Sequence, residues 1–295
     1  MAKVLIVGAG PAGVSAAIYA KRGGLDVTVL TKGQKTGGLA KAELIENYYG
    51  FAEPISGAKL EAQGIAGAKR LGVNFVEAEL LELNFNDDFT GFKAAAKKQT
   101  FMADSVVLAA GAARKSLNVP GIMDFEGKGV SYCAICDAFF YRGKTVAVIG
   151  AGEYALHEAM VLLPHAAKVI MLTNGEKLAA KVPAGIEVKS EKIAAIKGDT
   201  RVEQVEFADG SLLELAGVFM AIGTAGSTEL ARKIGAMLEN NSIKVDSKMA
   251  TNVPGLYAAG DCTGGLLQVA KAVYEGAVAG LSVIKYLREK AKNKA

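Results

Sequence analysis

Val4-Leu5-Ile6-Val7 runs into Gly8-Ala9-Gly10-Pro11-Ala12-Gly13 and then into an alanine-rich stretch through Ala20. Consecutive apolar residues of this kind read as a strand buried on both faces, and the glycines that follow have the G-x-G-x-x-G spacing of a strand-to-helix turn. Each glycine has its own reason. Gly8 makes the tight turn, Gly10 lets a pyrophosphate come against the backbone, and Gly13 lets the helix pack on the strand. The first amides of the helix and the positive end of its dipole then hold the anion. A second strand at 27–30 follows Gly23-Gly24 and completes a βαβ unit of about 30 residues, the context that gives the motif its weight. Thr31 stands where many dinucleotide folds carry a ribose-binding acid.

The pattern recurs. Val146-Ala147-Val148-Ile149 leads into Gly150-Ala151-Gly152-Glu153-Tyr154-Ala155, a helix expected to run to about residue 163, and a second strand at 169–172. Each copy is closed by an apolar strand ending in glycine, at 106–111 in the first and 218–223 in the second, and the second copy is the shorter. Leu256-Tyr257-Ala258-Ala259-Gly260-Asp261 reads as a further buried strand ending in an acid, followed by a C-terminal helix from about Gln268. This block is returned to the first domain. The fold class expected is α/β: two Rossmann-like domains of the three-layer ββα type, the first discontinuous over 1–113 and 245–295, the smaller second one inserted over 114–244.

Composition agrees with that class. The chain has 295 residues, 51% hydrophobic and 22% charged, which excludes disorder and a disulfide scaffold and suits about two domains with their own cores. No apolar run approaches the roughly 18 residues that span a bilayer, and the first strand meets its turn without a cleavage-type segment, so a cytoplasmic location is expected. The net charge is +4 and the basic residues are spread along the chain, apart from a small cluster at 288–294; nucleic-acid binding is not indicated.

Two of the three cysteines, Cys133 and Cys136, have a C-x-x-C spacing that calls for redox or metal chemistry in a reducing compartment. The pair precedes Ala138-Phe139-Phe140-Tyr141, consistent with a helix start that lowers a thiol pKa. Zinc would have to recruit Cys262, His157 and His165, and the two histidines are eight residues apart on one expected helix, so no metal is expected. Cys262 reads as a small buried apolar residue.

Five further motifs accompany GAGPAG at 8–13: Gly37-Gly38, then Glu46-Asn47-Tyr48 with Gly50-Phe51, then Ala110-Gly111, Cys133-Ala134-Ile135-Cys136-Asp137 and Gly260-Asp261. In this order the chain resembles the low-molecular-weight thioredoxin reductases along nearly its whole length. The resemblance implies FAD in the discontinuous domain. The residues lining it would be Gly8, Gly10, Pro11, Ala12, Gly13, Thr31, Gly37, Gly38, Leu39, Asn47, Ala110, Gly111, Gly260, Asp261, Gln268 and Val269. Asp261 would meet the ribityl or phosphate region, and Gln268 with Val269 the isoalloxazine edge. The resemblance also implies a homodimer, a hinge near 112–115 and 243–247, and thioredoxin as partner. Cys136 would face the flavin, Cys133 would attack the thioredoxin disulfide, and Asp137 would exchange the proton of the reacting thiol. Leu39 and Leu267 depart from the family, which usually has Gln and Arg there.

The electron donor is a separate question. Family members that use NADPH carry a His-Arg-Arg cluster after the second strand of the inserted domain, with another Arg beyond it, to grip the 2′-phosphate. Here the stretch is Thr173-Asn174-Gly175-Glu176-Lys177, and no arginine lies between Arg142 and Arg201. Lys177 and Lys181 lack the planar fork that suits bidentate phosphate binding. Glu153 puts a carboxylate at the helix start that should receive the pyrophosphate, and Tyr154 is expected to crowd the same place. FAD, a C-x-x-C and a degenerate nucleotide domain together most resemble the ferredoxin-dependent flavin thioredoxin reductases. Reduced ferredoxin rather than NADPH is therefore the expected donor, in two one-electron deliveries, and a basic surface steers an acidic ferredoxin in the right direction. An NAD(P)H-dependent thioredoxin reductase with an unusual nucleotide site, an FAD-dependent dithiol oxidase and a non-catalytic redox sensor stay open as alternatives.

Overall fold

The structure is a computed structural model, and it describes residues 1–33, 37–111, 117–179, 181–223 and 226–293. Packing divides the chain into two units, Met1–Ala113 with Gly226–Ala295, and Arg114–Ala225. Residues 226–244, expected in the inserted domain, pack instead with the first unit. Of the expected hinge, 112–115 lies outside the described residues, and 243–247 lies inside the first unit rather than at its border.

The chain opens with β1 (Lys3–Val7), α1 (Pro11–Arg22) and β2 (Asp26–Thr31), the βαβ unit read from the sequence. α2 (Gly57–Arg70) begins after Ser56, whose hydroxyl accepts the Lys59 N–H, and leads to β3 (Asn74–Glu77). An antiparallel ribbon follows, β4 (Leu80–Phe85), β5 (Phe92–Ala96) and β6 (Thr100–Ala103), and then β7 (Ser105–Leu108). The inserted unit contains β8 (Val130–Ser131), α3 (Ala134–Asp137), β9 (Thr145–Ile149), α4 (Glu153–Leu162) and β10 (Lys168–Leu172). It continues with β11 (Ile186–Lys189), β12 (Ile193–Lys197), β13 (Gln204–Phe207), β14 (Leu212–Glu214) and β15 (Gly217–Met220). The return segment adds α5 (Ser227–Lys233), β16 (Leu238–Glu239), β17 (Ser242–Ile243), β18 (Leu256–Ala258) and α6 (Val269–Lys292).

The first unit is built on a five-stranded parallel sheet in the order β18-β7-β1-β2-β3. Strand residues alternate between its faces. Val4, Ile6, Val27, Val29 and Val107 share one core with Ala16, Ala17, Ala20, Ile65, Ala68, Ala279 and Val283 from the three long helices. Leu5, Leu30, Val106 and Leu108 alternate with them and are buried on the face that the ribbon β4–β6 covers. Each such fully buried side chain contributes about 1.5–3 kcal/mol. The result is helices, parallel sheet and ribbon as three layers.

The inserted unit repeats this on a five-stranded parallel sheet, β11-β10-β9-β15-β8. Ala147, Ile149, Ile170, Leu172, Val218 and Met220 form a core with Ile193, Ile196, Val205 and Phe207 of the antiparallel β12–β14 ribbon. The alternate residues Val146, Val148, Val169, Met171 and Phe219 are buried on the other face, where α4 lies with Ala155, Ala159 and Leu162. The chain thus has the two Rossmann-like domains expected of it. Among the described residues no helix is long and apolar enough to cross a membrane.

Candidate functional site

The β1–α1 turn has the shape its sequence requires. Gly8 has φ +113°, and a Cβ there would sit 2.4 Å from the Ala109 carbonyl oxygen. A Cβ at Gly13 would meet the Gly8 carbonyl oxygen at 1.9 Å, so helix and strand touch where only glycine fits. At Gly10 a Cβ would meet nothing within 4 Å: the backbone faces open space at the helix start. α1 has Pro11 at its first turn, no acidic residue there and no side-chain cap on its amides. This turn is suited to the phosphates of the dinucleotide that the resemblance implies.

The return segment comes to the same turn. A Cβ at Gly260 (φ +87°) would lie 2.9 Å from the Ala12 side chain, which places Gly260 and Asp261 against the start of α1. α6 packs along α1 so closely that a Cβ at Gly276 would meet the Ala12 carbonyl oxygen at 2.1 Å. Gln268 precedes α6, Val269 begins it, and the Asn47 amide donates to Gln268 Oε1 at 2.9 Å. Gly38 and Leu39 start a short 3₁₀ turn, with Gly37 just before it. The Thr31 hydroxyl accepts the Gly33 N–H at 3.2 Å. Ala110 donates its N–H to Ser227 at 2.9 Å, and Gly111 beside it has φ +73°.

Sequence reasoning missed the groups that hold these turns. Glu275 Oε2 accepts the Gly260 N–H at 2.8 Å and the Thr263 hydroxyl at 2.9 Å, and pairs with Lys271 at 3.1 Å. The Lys271 ammonium also donates to the carbonyl oxygens of Gly260 (2.9 Å) and Gly264 (2.6 Å). Buried polar groups survive when satisfied in this way. The i,i+4 Lys–Glu spacing was visible in the sequence, but its burial was not. Cys262 is buried as expected, and that burial pushes its thiol up to about 12.

In the inserted unit Cys133 and Cys136 are joined as a disulfide. Cys133 caps α3 and is 3% exposed, whereas Cys136 is exposed. The Cys136 N–H donates to Cys133 Sγ at 3.2 Å. Ser131 organises the turn: its hydroxyl donates to Asp137 Oδ2 at 2.7 Å and accepts the Cys133 N–H at 3.1 Å. Across from it, the buried Glu158 of α4 accepts the Ala134 N–H at 2.9 Å. Burial, and then the charge of Asp137, push the Tyr141 phenol up, against a smaller pull from Arg201. Neither Ser131 nor Glu158 was singled out from the sequence.

The second glycine turn departs from the first. Gly150 is again forced, since a Cβ would meet the Ala221 carbonyl oxygen at 2.2 Å, but α4 opens with Glu153 in its first turn. Tyr154 was expected to crowd a nucleotide here. Instead its ring is 1% exposed, because position 154 falls on the buried face of α4 with Glu158 and Leu162. After β10, Asn174 takes φ +52° and its side chain accepts the Ile193 N–H at 2.8 Å, so this turn serves the ribbon. Lys177 and Lys181 are exposed.

A model of the pyridine nucleotide-disulphide oxidoreductases matches residues 2–276. The thioredoxin reductase of Listeria innocua is 33% identical over 302 residues, covering 97% of this chain and 94% of that protein. The solved structure of the atypical thioredoxin reductase TRi from Desulfovibrio vulgaris Hildenborough is 38% identical, with TM-score 0.93 and coverage of 98% and 99%. The ferredoxin-flavin thioredoxin reductase of Clostridium acetobutylicum is 32% identical, with TM-score 0.73 and coverage of 97% and 98%. The chain belongs to the pyridine nucleotide-disulphide oxidoreductases, and within them it is a thioredoxin reductase-like flavin oxidoreductase acting on thiols and disulfides.

Proposed function

We propose that the chain reduces thioredoxin through FAD and the Cys133–Cys136 pair, and that its electrons come from reduced ferredoxin rather than NADPH. The contrast between the two glycine turns carries this reading: α1 begins without an acid, whereas α4 begins with Glu153. A carboxylate in the first turn occupies the field that a pyrophosphate needs. The turn after β10, built on Asn174, offers no arginine fork for a 2′-phosphate. Likeness to the ferredoxin-flavin thioredoxin reductase of Clostridium acetobutylicum supports the same donor.

When bound, FAD supplies the conversion of electrons delivered singly into the pair that a disulfide accepts. The chain's residues then have separate tasks. The turn from Gly8 to Gly13, with Asp261, Asn47, Gln268 and Val269, holds and orients the cofactor. Cys133 and Cys136 receive the electrons and pass them on by thiol-disulfide exchange, with Asp137 taking and returning the proton of the exchanging thiol. The Cys136 N–H donates to Cys133 Sγ at 3.2 Å and helps to place the sulfur assigned the attack on thioredoxin. Ile135, Phe139 and Phe140 are exposed beside the pair and give a protein partner apolar surface to meet. The reading includes a cytoplasmic homodimer, as the resemblance implies.

Thioredoxin-disulfide reduction with reduced ferredoxin, NADPH or NADH as sole donor tests the proposal. Turnover with ferredoxin should exceed that with either nucleotide by about a hundredfold or more, the equivalent of ~3 kcal/mol of lost phosphate contacts. Equal or faster turnover with a nucleotide would overturn the donor assignment.

A further inference from the structure

Asp261 stands on a short 3₁₀ turn, Asp261–Thr263, with Gly260 (φ +87°) before it and Gly264 (φ +76°) after it. Glycine has the most backbone freedom to lose, so a turn flanked by two of them needs holding from outside. One side chain holds both flanks. Lys271 donates to the carbonyl oxygens of Gly260 at 2.9 Å and Gly264 at 2.6 Å, and to the Thr263 hydroxyl at 2.9 Å. Glu275, one turn further along α6, pairs with that ammonium at 3.1 Å and accepts the Thr263 hydroxyl at 2.9 Å and the Gly260 N–H at 2.8 Å. These contacts are to backbone, to Thr263 or within the pair, so the network leaves the Asp261 carboxylate out. The place is a poor one for a cation on local grounds: Lys271 is the third residue of α6, at the positive end of the helix dipole, and its side chain is 15% exposed.

We propose that Lys271, seated by Glu275, is a positioning residue for the flavin cofactor: it ties the Asp261 turn to the first turn of α6, and so sets the two parts of the cofactor site in place before FAD binds. The inference rests on the reading that Asp261, Gln268 and Val269 meet FAD. Gln268 and Val269 stand at the start of α6, within three residues of Lys271. The turn that Lys271 holds is also the one packed on the start of α1, where a Cβ at Gly260 would lie 2.9 Å from the Ala12 side chain. One ammonium thereby links three segments assigned to the same ligand. A site ordered in advance loses less freedom when it is filled, so the clamp should show in how long the cofactor is retained.

Release of FAD from diluted holoprotein, followed as the rise in flavin fluorescence, tests this without donor or thioredoxin. Lys271→Met combined with Glu275→Gln removes the clamp without stranding a charge, and the new amide still accepts the Gly260 N–H. Lys271→Met alone leaves Glu275 buried without its cation, and its urea midpoint should be the lower of the two. Both variants lose the same three hydrogen bonds to the turn, so both should release FAD about tenfold faster than the wild type, at similar rates despite their different midpoints. Glu275→Gln alone keeps Lys271 on the turn and should release FAD within about threefold of the wild type. Wild-type release from the double variant would overturn the proposal, as would release rates that follow the midpoints rather than the presence of Lys271. If the Lys271 variants do not fold, Thr263→Val decides. It removes the hydroxyl between the two side chains and should speed release about threefold, and an unchanged rate would overturn the clamp. A wild-type chain that takes up no FAD would overturn the cofactor reading itself, whereas FAD bound and released alike by wild type and variants would overturn the clamp alone.

Discussion

Ser131 has one proton to give, and it gives it to Asp137 while accepting the Cys133 N–H. Ser131→Ala removes that support and should slow thioredoxin reduction about tenfold at saturating donor, the scale of one hydrogen bond to a charged group. Cys133→Ser should abolish thioredoxin reduction and leave the protein yellow; retained activity would contradict the role assigned to Cys133. Cys262 gives a different readout. Its folded pKa is raised from 9.0 to about 12, so above pH 9 the unfolded chain loses a proton that the folded chain keeps. Stability should therefore be level below that pH and fall between about 9 and 12, by at most about 1.4 kcal/mol per pH unit from this group. Tyr257, raised from 10.0 to about 12, adds in the same direction. Urea midpoints across this range check the fall, and Cys262→Ala should lessen it. The Cys133–Cys136 pair was legible in the sequence because its spacing is local, whereas Asp137 came in only through the resemblance. Ser131 and Glu158 were not legible, since a two-residue turn contact and a bond reaching 24 residues along the chain both depend on how α3 seats on α4.

The helices and their turns carry the next set of consequences. Both glycine turns formed as read, because a Cβ at Gly8, Gly13 or Gly150 would press on backbone oxygen within 2.4 Å. What pattern alone did not reveal was how α6 comes back onto α1, with Gly276 and Gly280 against the carbonyl oxygens of Ala12 and Ala16. Gly276→Ala should destabilise the first unit by about 1–3 kcal/mol and loosen cofactor binding, which thermal unfolding and flavin retention through gel filtration would measure together. Lys271→Met leaves Glu275 buried without its cation and should cost about 3–5 kcal/mol, read as a lowered urea midpoint. Tyr154 shows the limit of reading a helix start position by position. Its place was clear from the sequence, but its side chain follows the buried face that repeats at Glu158 and Leu162.

At the scale of the molecule, the two units share a pattern and differ at their glycine turns. Repetition of strand, glycine turn and helix made both Rossmann-like domains legible from local pattern. The end of the inserted segment was harder to place, because Ser227 is drawn to the Ala110 N–H and so carries α5 into the first unit, where the sequence offers no composition change to mark the crossing. The first unit keeps an open glycine turn with no acid at the start of its helix, while the second carries the disulfide and begins its helix with Glu153. On this account reducing power enters through the flavin from a protein donor. The most direct measurement is anaerobic absorbance of the yellow holoprotein after mixing with reduced ferredoxin, NADPH or NADH in turn. Ferredoxin should bleach the flavin within one catalytic turnover, and the nucleotides should leave it oxidised over the same interval; bleaching by NADPH at a rate that matches thioredoxin reduction would contradict the account.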